Sequence, residues 1–251
     1  MQKKILIPIG IILLLAAGGA AGFFLFNKEK EPEQEKADPI VVEEVYRETK
    51  DNVVKEKEDP YQNEINFDEL KAINPDVYAW IKVPGTNIDY PILQSTTEPD
   101  DYYLNMTMDG KYGLPGSIYT EKYNAQDFSD RVTVIYGHTM HDGTMFSELK
   151  KYRDRAFFDQ NPYIYIYLPT ARLKYQIFAA VAFDNRYILG EYSFSSPEDF
   201  ESYTTELKSS LDGNINENVE INNPIITLST CIDEFPNQRW LVNAVLLEEQ
   251  R

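Results

Sequence analysis

"ITLSTCIDEFPNQRW", residues 226–240, holds the only cysteine of a 251-residue chain and reads as a strand, a turn and a returning strand. Side chains alternate along a strand, so Ile226, Leu228 and Thr230 fall on one face and Thr227, Ser229 and Cys231 on the other. A packing cysteine would sit with the isoleucine and leucine; this one belongs to the polar face. Pro236-Asn237 is a turn signal, and "RWLVNAVLL" from Arg239 is a returning strand. Antiparallel pairing of the two sets Arg239 beside Cys231 at one end of a sheet. In "RVTVIYGHTM" another strand ends at Gly137, which puts His138 at a strand-to-loop junction.

Outward from this hairpin the same texture recurs. "YPILQ", "YIYIYLP" and "KYQIFAAVAF" are further short β-rich runs separated by Pro, Gly, Asn and Asp, the pattern of a barrel or sandwich. The expected fold is mainly β with helical insertions. One insertion, "GTMFSELKKYRDRAFF", carries Phe146, Leu149, Tyr152 and Phe157 on roughly one face. The other, "SPEDFESYTTELKSSL", has Ser196 as N-cap, Pro197 at the first helical position and a stripe of Phe200, Tyr203, Leu207 and Leu211. Upstream, Asn66 followed by Glu69 is a capping-box pattern for a short helix, and "NPDVYAW" is read as a second helical turn.

The N-terminal part has a different character. Ile5 to Phe26 is 22 residues without a charge, long enough to cross a bilayer, and Lys3 and Lys4 precede it. The positive-inside tendency sets the N-terminus in the cytoplasm and the rest outside. A cleaved signal peptide is the rival, with small residues from Ala17 to Ala21, but apolar residues continue through Phe26, which favours an uncleaved anchor. Residues 28–60 hold seven basic and twelve acidic side chains and cannot bury a core, which makes them a tether. The expected organisation is an anchor over residues 1–27, the tether over 28–60 and one catalytic domain over 61–251.

Charge and composition exclude several functions. Residues 61–251 carry 15 basic and 29 acidic side chains, so nucleic acid is not an expected partner. One cysteine permits no intramolecular disulfide, and two histidines are too few for a zinc cluster. No run of Asp, Asn and Glu has calcium-loop spacing, so neither a metal nor a cofactor is expected, and turnover should survive chelation.

A thiol, a histidine and an arginine at strand ends make a nucleophilic constellation. The thiolate is the reactive form. A histidine can give a proton to a leaving amine and take one from an incoming nucleophile. An arginine can hold a carbonyl or a developing oxyanion. Taken singly, each residue type is more often inert or merely solvated.

Together, these residues resemble the sortases, the cysteine transpeptidases of Gram-positive cell surfaces. "TLSTC" (227–231) followed by Arg239 is similar to their catalytic signature. "IYGHTMHDGTMFSELKKY" (135–152) resembles their histidine segment, in a form most like class B. "WIKVPGTNIDYPILQ" (80–94) resembles their first-strand segment. The resemblance implies a closed eight-stranded β-barrel with N-terminal helices and a long helix before the cysteine strand. It implies that Cys231 is the nucleophile, His138 the catalytic histidine and Arg239 the arginine. Ser229 and Thr230 are candidate substrate contacts, Asp233 is a candidate third group or a plain loop acid, and His141 is a neighbour outside the motif.

The implied reaction cleaves a C-terminal sorting signal of a secreted protein after threonine. It passes through a thioacyl-enzyme to a peptidoglycan amine at the outer face of the cell membrane. Alternatives are a pilin polymerase with a lysine acceptor, a cysteine peptidase or amidase, and an inactive tethered binding module.

Overall fold

The computed structural model describes residues 65–251. The expected membrane span and tether lie outside them, and among the described residues no helix is long and apolar enough to cross a membrane. Nine strands form one sheet: β1 (Val77–Lys82), β2 (Asp89–Leu93), β3 (Ile118–Tyr119), β4 (Val132–Tyr136), β5 (Tyr163–Leu168), β6 (Ala171–Asp184), β7 (Gly213–Ile215), β8 (Ile225–Cys231) and β9 (Gln238–Gln250). Their order is β5-β1-β2-β3-β4-β8-β9-β6-β7, and β5 also pairs with β6. That extra pairing closes eight strands into a barrel, as expected, and removes their free edges. The ninth, β7, lies along Ala179–Val181 of the long β6, beyond the stretch that β5 occupies.

Two apolar layers hold the barrel. Trp80, Ile81, Phe146, Tyr175, Leu228 and Trp240 belong to the larger cluster, which takes in the inward residues of β8, Ile226 and Leu228. A second cluster lies under α4 (Pro197–Lys208), where Phe200, Tyr203 and Leu207 meet Ile225 and Leu241 from the sheet. Ser196 caps α4 by accepting from the Asp199 amide, as its sequence implies. The helix stops at Lys208, so Leu211 is fully exposed and not part of the stripe.

Two local expectations need correction. α1 (Phe67–Ile73) forms, with Asn66 accepting from the Glu69 amide, but "NPDVYAW" is not helical. Asn74 accepts from the Asp76 amide in a side-chain turn, and the chain enters β1 at Val77. Val77, Tyr78, Trp80 and Ile81 are strand formers, and β1 pairs with both β2 and β5, so sheet pairing overrides the local helix signal. The insertion after Gly143 is likewise not one helix. A 3-10 segment, Ser147–Arg153, ends at Asp154, whose carboxylate accepts from the Phe157 amide at 2.7 Å and starts α2 (Arg155–Gln160). Phe158, rather than Phe157, is the buried ring there. A short α3 (Ile188–Glu191) follows β6.

Candidate active site

β8 and β9 meet in antiparallel register with Cys231 opposite Arg239, as the hairpin reading required. The polar face of β8 is not open along its length. Thr227 is fully buried, with the Tyr203 hydroxyl 3.0 Å from its hydroxyl and with its own hydroxyl donating to Asn243 Oδ1 at 2.8 Å. Ser229 is 6% exposed, and only Cys231, the last residue of the strand, is exposed. The expected polar face is therefore a buried hydrogen-bonded layer that reaches solvent at the thiol.

β4 runs parallel to β8, pairing Tyr136 with Ser229, and brings the next segment to the same end of the barrel. The Gly137 amide donates to the Ser229 carbonyl at 3.2 Å. A Cβ on Gly137 would lie 2.5 Å from Ile118 and 2.7 Å from Phe146, so close packing requires glycine before the histidine. The loop beyond is pinned at several points. The Phe146 amide donates to the His138 carbonyl at 2.9 Å, the Met140 amide to Ser147 Oγ at 2.6 Å, and the Met145 amide to the Tyr90 hydroxyl at 3.1 Å. Thr139 ties this loop to the cysteine strand. Its hydroxyl donates to the Cys231 carbonyl at 2.9 Å and lies 2.9 Å from the Thr230 hydroxyl, which supplies the complementary proton.

His138, Cys231 and Arg239 line one cavity of about 320 Å³, together with Leu104, Tyr187 and Ser229. His138 Nε2 is 2.8 Å from the Leu104 carbonyl, which can only accept, so Nε2 carries a proton and Nδ1 is left to exchange one. Asp233 lines a different cavity and does not hold the imidazole. His141 is exposed and borders neither. Thr230 lines the cavity with Ser229, but its hydroxyl serves the contact with Thr139. Arg239 Nη1 donates to the Pro236 and Gln238 carbonyls at 3.3 and 3.0 Å, and among the described residues no carboxylate pairs with its guanidinium. Its remaining N–H groups are available to a ligand oxygen.

Leu104 gave no signal in the sequence, because it contributes only a backbone carbonyl from a 3-10 turn, Tyr102–Leu104. Gly116 guards that carbonyl. It has φ +64°, and a Cβ there would sit 2.3 Å from the Leu104 oxygen. Gly116→Ala is expected to cost about 1–2 kcal/mol from the left-handed backbone alone. Displacing the oxygen that accepts from His138 should also lower kcat more than it raises KM. A melt and steady-state kinetics on the same preparation check both.

Glu121 is the other residue the sequence did not flag. It lines the cavity, is buried, and accepts from the Tyr187 hydroxyl at 2.5 Å. Burial holds its carboxyl above the usual range; the Tyr187 hydrogen bond opposes this, while Asp100 and Asp101 add to it. With the folded pKa raised, the stability this group contributes is fully present below the ordinary carboxylate pKa and is lost as pH rises through the raised value. Glu121→Gln keeps the volume and an acceptor for Tyr187. It should raise the melting temperature at neutral pH, with the gain vanishing near about pH 4, where wild type is already protonated. Melts across that range test the sign.

A sortase-domain family profile matches residues 81–247. Sortase B of Listeria monocytogenes is 36% identical over 166 residues, covering 66% of this chain and 67% of that protein. The crystal structure of Clostridium perfringens sortase B superposes with a TM-score of 0.65 at 33% identity, covering 73% of this chain and all of that one. A Staphylococcus aureus sortase B–substrate complex gives a TM-score of 0.64 at 29% identity, covering 72% of this chain and 84% of that one.

Proposed function

This chain belongs to the sortase family of cysteine transpeptidases, with class B relatives, and we propose that Cys231, His138 and Arg239 carry its reaction. The substrate is a secreted protein bearing a C-terminal sorting signal. The Cys231 thiolate attacks the carbonyl carbon of the signal's threonine while Arg239 donates to the carbonyl oxygen, which becomes the oxyanion. Collapse breaks the C–N bond, and His138 gives its proton to the departing amine, leaving a thioester on Cys231. An amine of the peptidoglycan precursor or cross-bridge then attacks the thioester. The new C–N bond forms, the C–S bond breaks onto Cys231, and neutral His138 takes the surplus amine proton. Ser229, at the rim of the same cavity, contacts the bound signal.

The observation that carries this reading is convergence. Three residues from β8, the end of β4 and the start of β9 border one cavity, with the chain's only thiol exposed in it. The Leu104 carbonyl supports the histidine's part, because it can accept from Nε2–H in both the neutral and the charged ring. Residues 1–27 serve as a single-pass anchor with a cytoplasmic N-terminus, 28–60 as the tether and 61–251 as the extracellular catalytic domain. This places the thiol where secreted substrates and lipid-linked acceptors meet. Protease accessibility on intact cells tests that topology.

Cleavage profiling of a peptide library by the full-length protein, with and without added amines, tests the reaction. Cuts after threonine, with amide products when amine is present, are expected. Hydrolysis indifferent to amine would replace this reading with a peptidase or amidase. A preference for a pilin lysine peptide over wall-derived amines would make the enzyme a polymerase, an acceptor choice that no feature of the cavity favours.

A further inference from the structure

Two cavities meet at Cys231. The second, about 270 Å³, shares Thr230 and Cys231 with the first but contains neither His138 nor Arg239. Thr139, bonded to both shared residues, borders only the second. The 3-10 segment contributes Lys150 and Arg153 to it, and the β8–β9 loop contributes Asp233 and Glu234. Trp240 lies in its lining, almost fully buried, with its indole N–H donating to the Leu149 carbonyl at 2.9 Å. The Arg153 guanidinium is 4.8 Å above the Trp240 ring, a contact that orients the cation without neutralising it.

The charges around this cavity are not used up within the protein. Lys151, beside them, is paired with Glu148 at 2.9 Å, whereas among the described residues neither Lys150 nor Arg153 forms an ion pair, and neither does Asp233 or Glu234. In a chain of net charge −17, two uncompensated cations sharing a cavity with two uncompensated acids, beside the thiol, form a set suited to a ligand of both signs. A transferase also needs a place for its second substrate that the first leaves free, within reach of the thioester carbon.

We propose that this second cavity is the acceptor subsite, and that it selects an amine carrying a carboxylate close by, as in the side chain of a diamino diacid. The proposal rests on the transpeptidase reading above. Asp233 and Glu234 draw in the ammonium form, and Lys150 and Arg153 hold the carboxylate by charge-assisted hydrogen bonds. The amine reacts once it has lost one proton to solvent, and its second goes to His138 as the amide forms.

The test compares meso-diaminopimelate with cadaverine, its doubly decarboxylated analogue, as acceptors for the full-length protein. The donor is the peptide selected by library profiling, and the readout is the ratio of amide to hydrolysed product, in which any change in donor cleavage cancels. Lys150→Gln with Arg153→Gln should reduce the preference for diaminopimelate over cadaverine about tenfold relative to wild type, a comparison in which the amines' own reactivities cancel. An undiminished preference overturns the proposal. Lys150→Gln alone, which leaves the Arg153–Trp240 contact in place, should show part of the loss.

A second measurement does not depend on turnover. Diaminopimelate titrated into Cys231→Ala should produce a saturable change in tryptophan emission, abolished when Lys150 and Arg153 are also Gln. An emission that stays flat overturns the subsite. If amines give no amide while hydrolysis proceeds, the transferase reading fails instead, and this titration still decides what the cavity binds.

Discussion

Cys231→Ala is expected to abolish both cleavage and transfer while leaving the barrel folded. The side chain is exposed at the end of β8, so removing its sulfur creates no cavity and leaves no buried polar group unpaired. Such substitutions stay within about 0.5 kcal/mol, and for a domain of this size the melting temperature should move by no more than about 2 °C. Activity should fall by several orders of magnitude, because removing the nucleophile of an acyl-transfer unit leaves only the residual acceleration from binding and oxyanion stabilisation. The chain has a single cysteine, so no second thiol can take over. Residual thioester formation by a well-folded variant would overturn the assignment, and loss of the melting transition would mean that the residue is structural.

The second large effect is expected at Arg239. Its Nη1 is engaged by two backbone carbonyls of its own loop, which fixes the guanidinium plane opposite Cys231 in the β8–β9 register. A planar fork, anchored at one nitrogen and free to donate from the others, meets a carbonyl oxygen with a geometry that an ammonium cannot copy. Arg239→Ala should cost on the order of 3 kcal/mol in the transition state, about a hundredfold in rate. Arg239→Lys should recover little of it. Were the residue only a surface cation, its loss would be worth under about 1 kcal/mol and lysine would serve. Transfer rates of both variants, measured beside their melts, separate the two accounts. A lysine variant with near-normal rates refutes the fork.

Where sequence reading succeeded, the information was local and periodic. The alternation in "PIITLSTC" and the Pro236-Asn237 turn sufficed to set Cys231 against Arg239, because strand parity and a short hairpin fix which residues face one another. Ser196 and Pro197 marked the start of α4 for the same reason: a cap is a contact between residues three apart. It failed where pairing partners far along the chain decide the outcome. Val77–Lys82 is a strand because β2 and β5 flank it, and β3 has only two residues, too few to show a period.

The chain alone therefore determined which residue types could do the chemistry, the β character of the barrel and the identity of its one thiol. These follow from composition, spacing and short-range geometry. Only the tertiary structure decided that a backbone carbonyl at Leu104, and not Asp233, receives the His138 proton. It also decided that the polar face of β8 is buried until its last residue, and that two cavities border one sulfur. A carbonyl carries no side-chain signature, and a cavity is the space between segments distant in sequence, so neither is written in the order of residues until the sheet closes and brings them together.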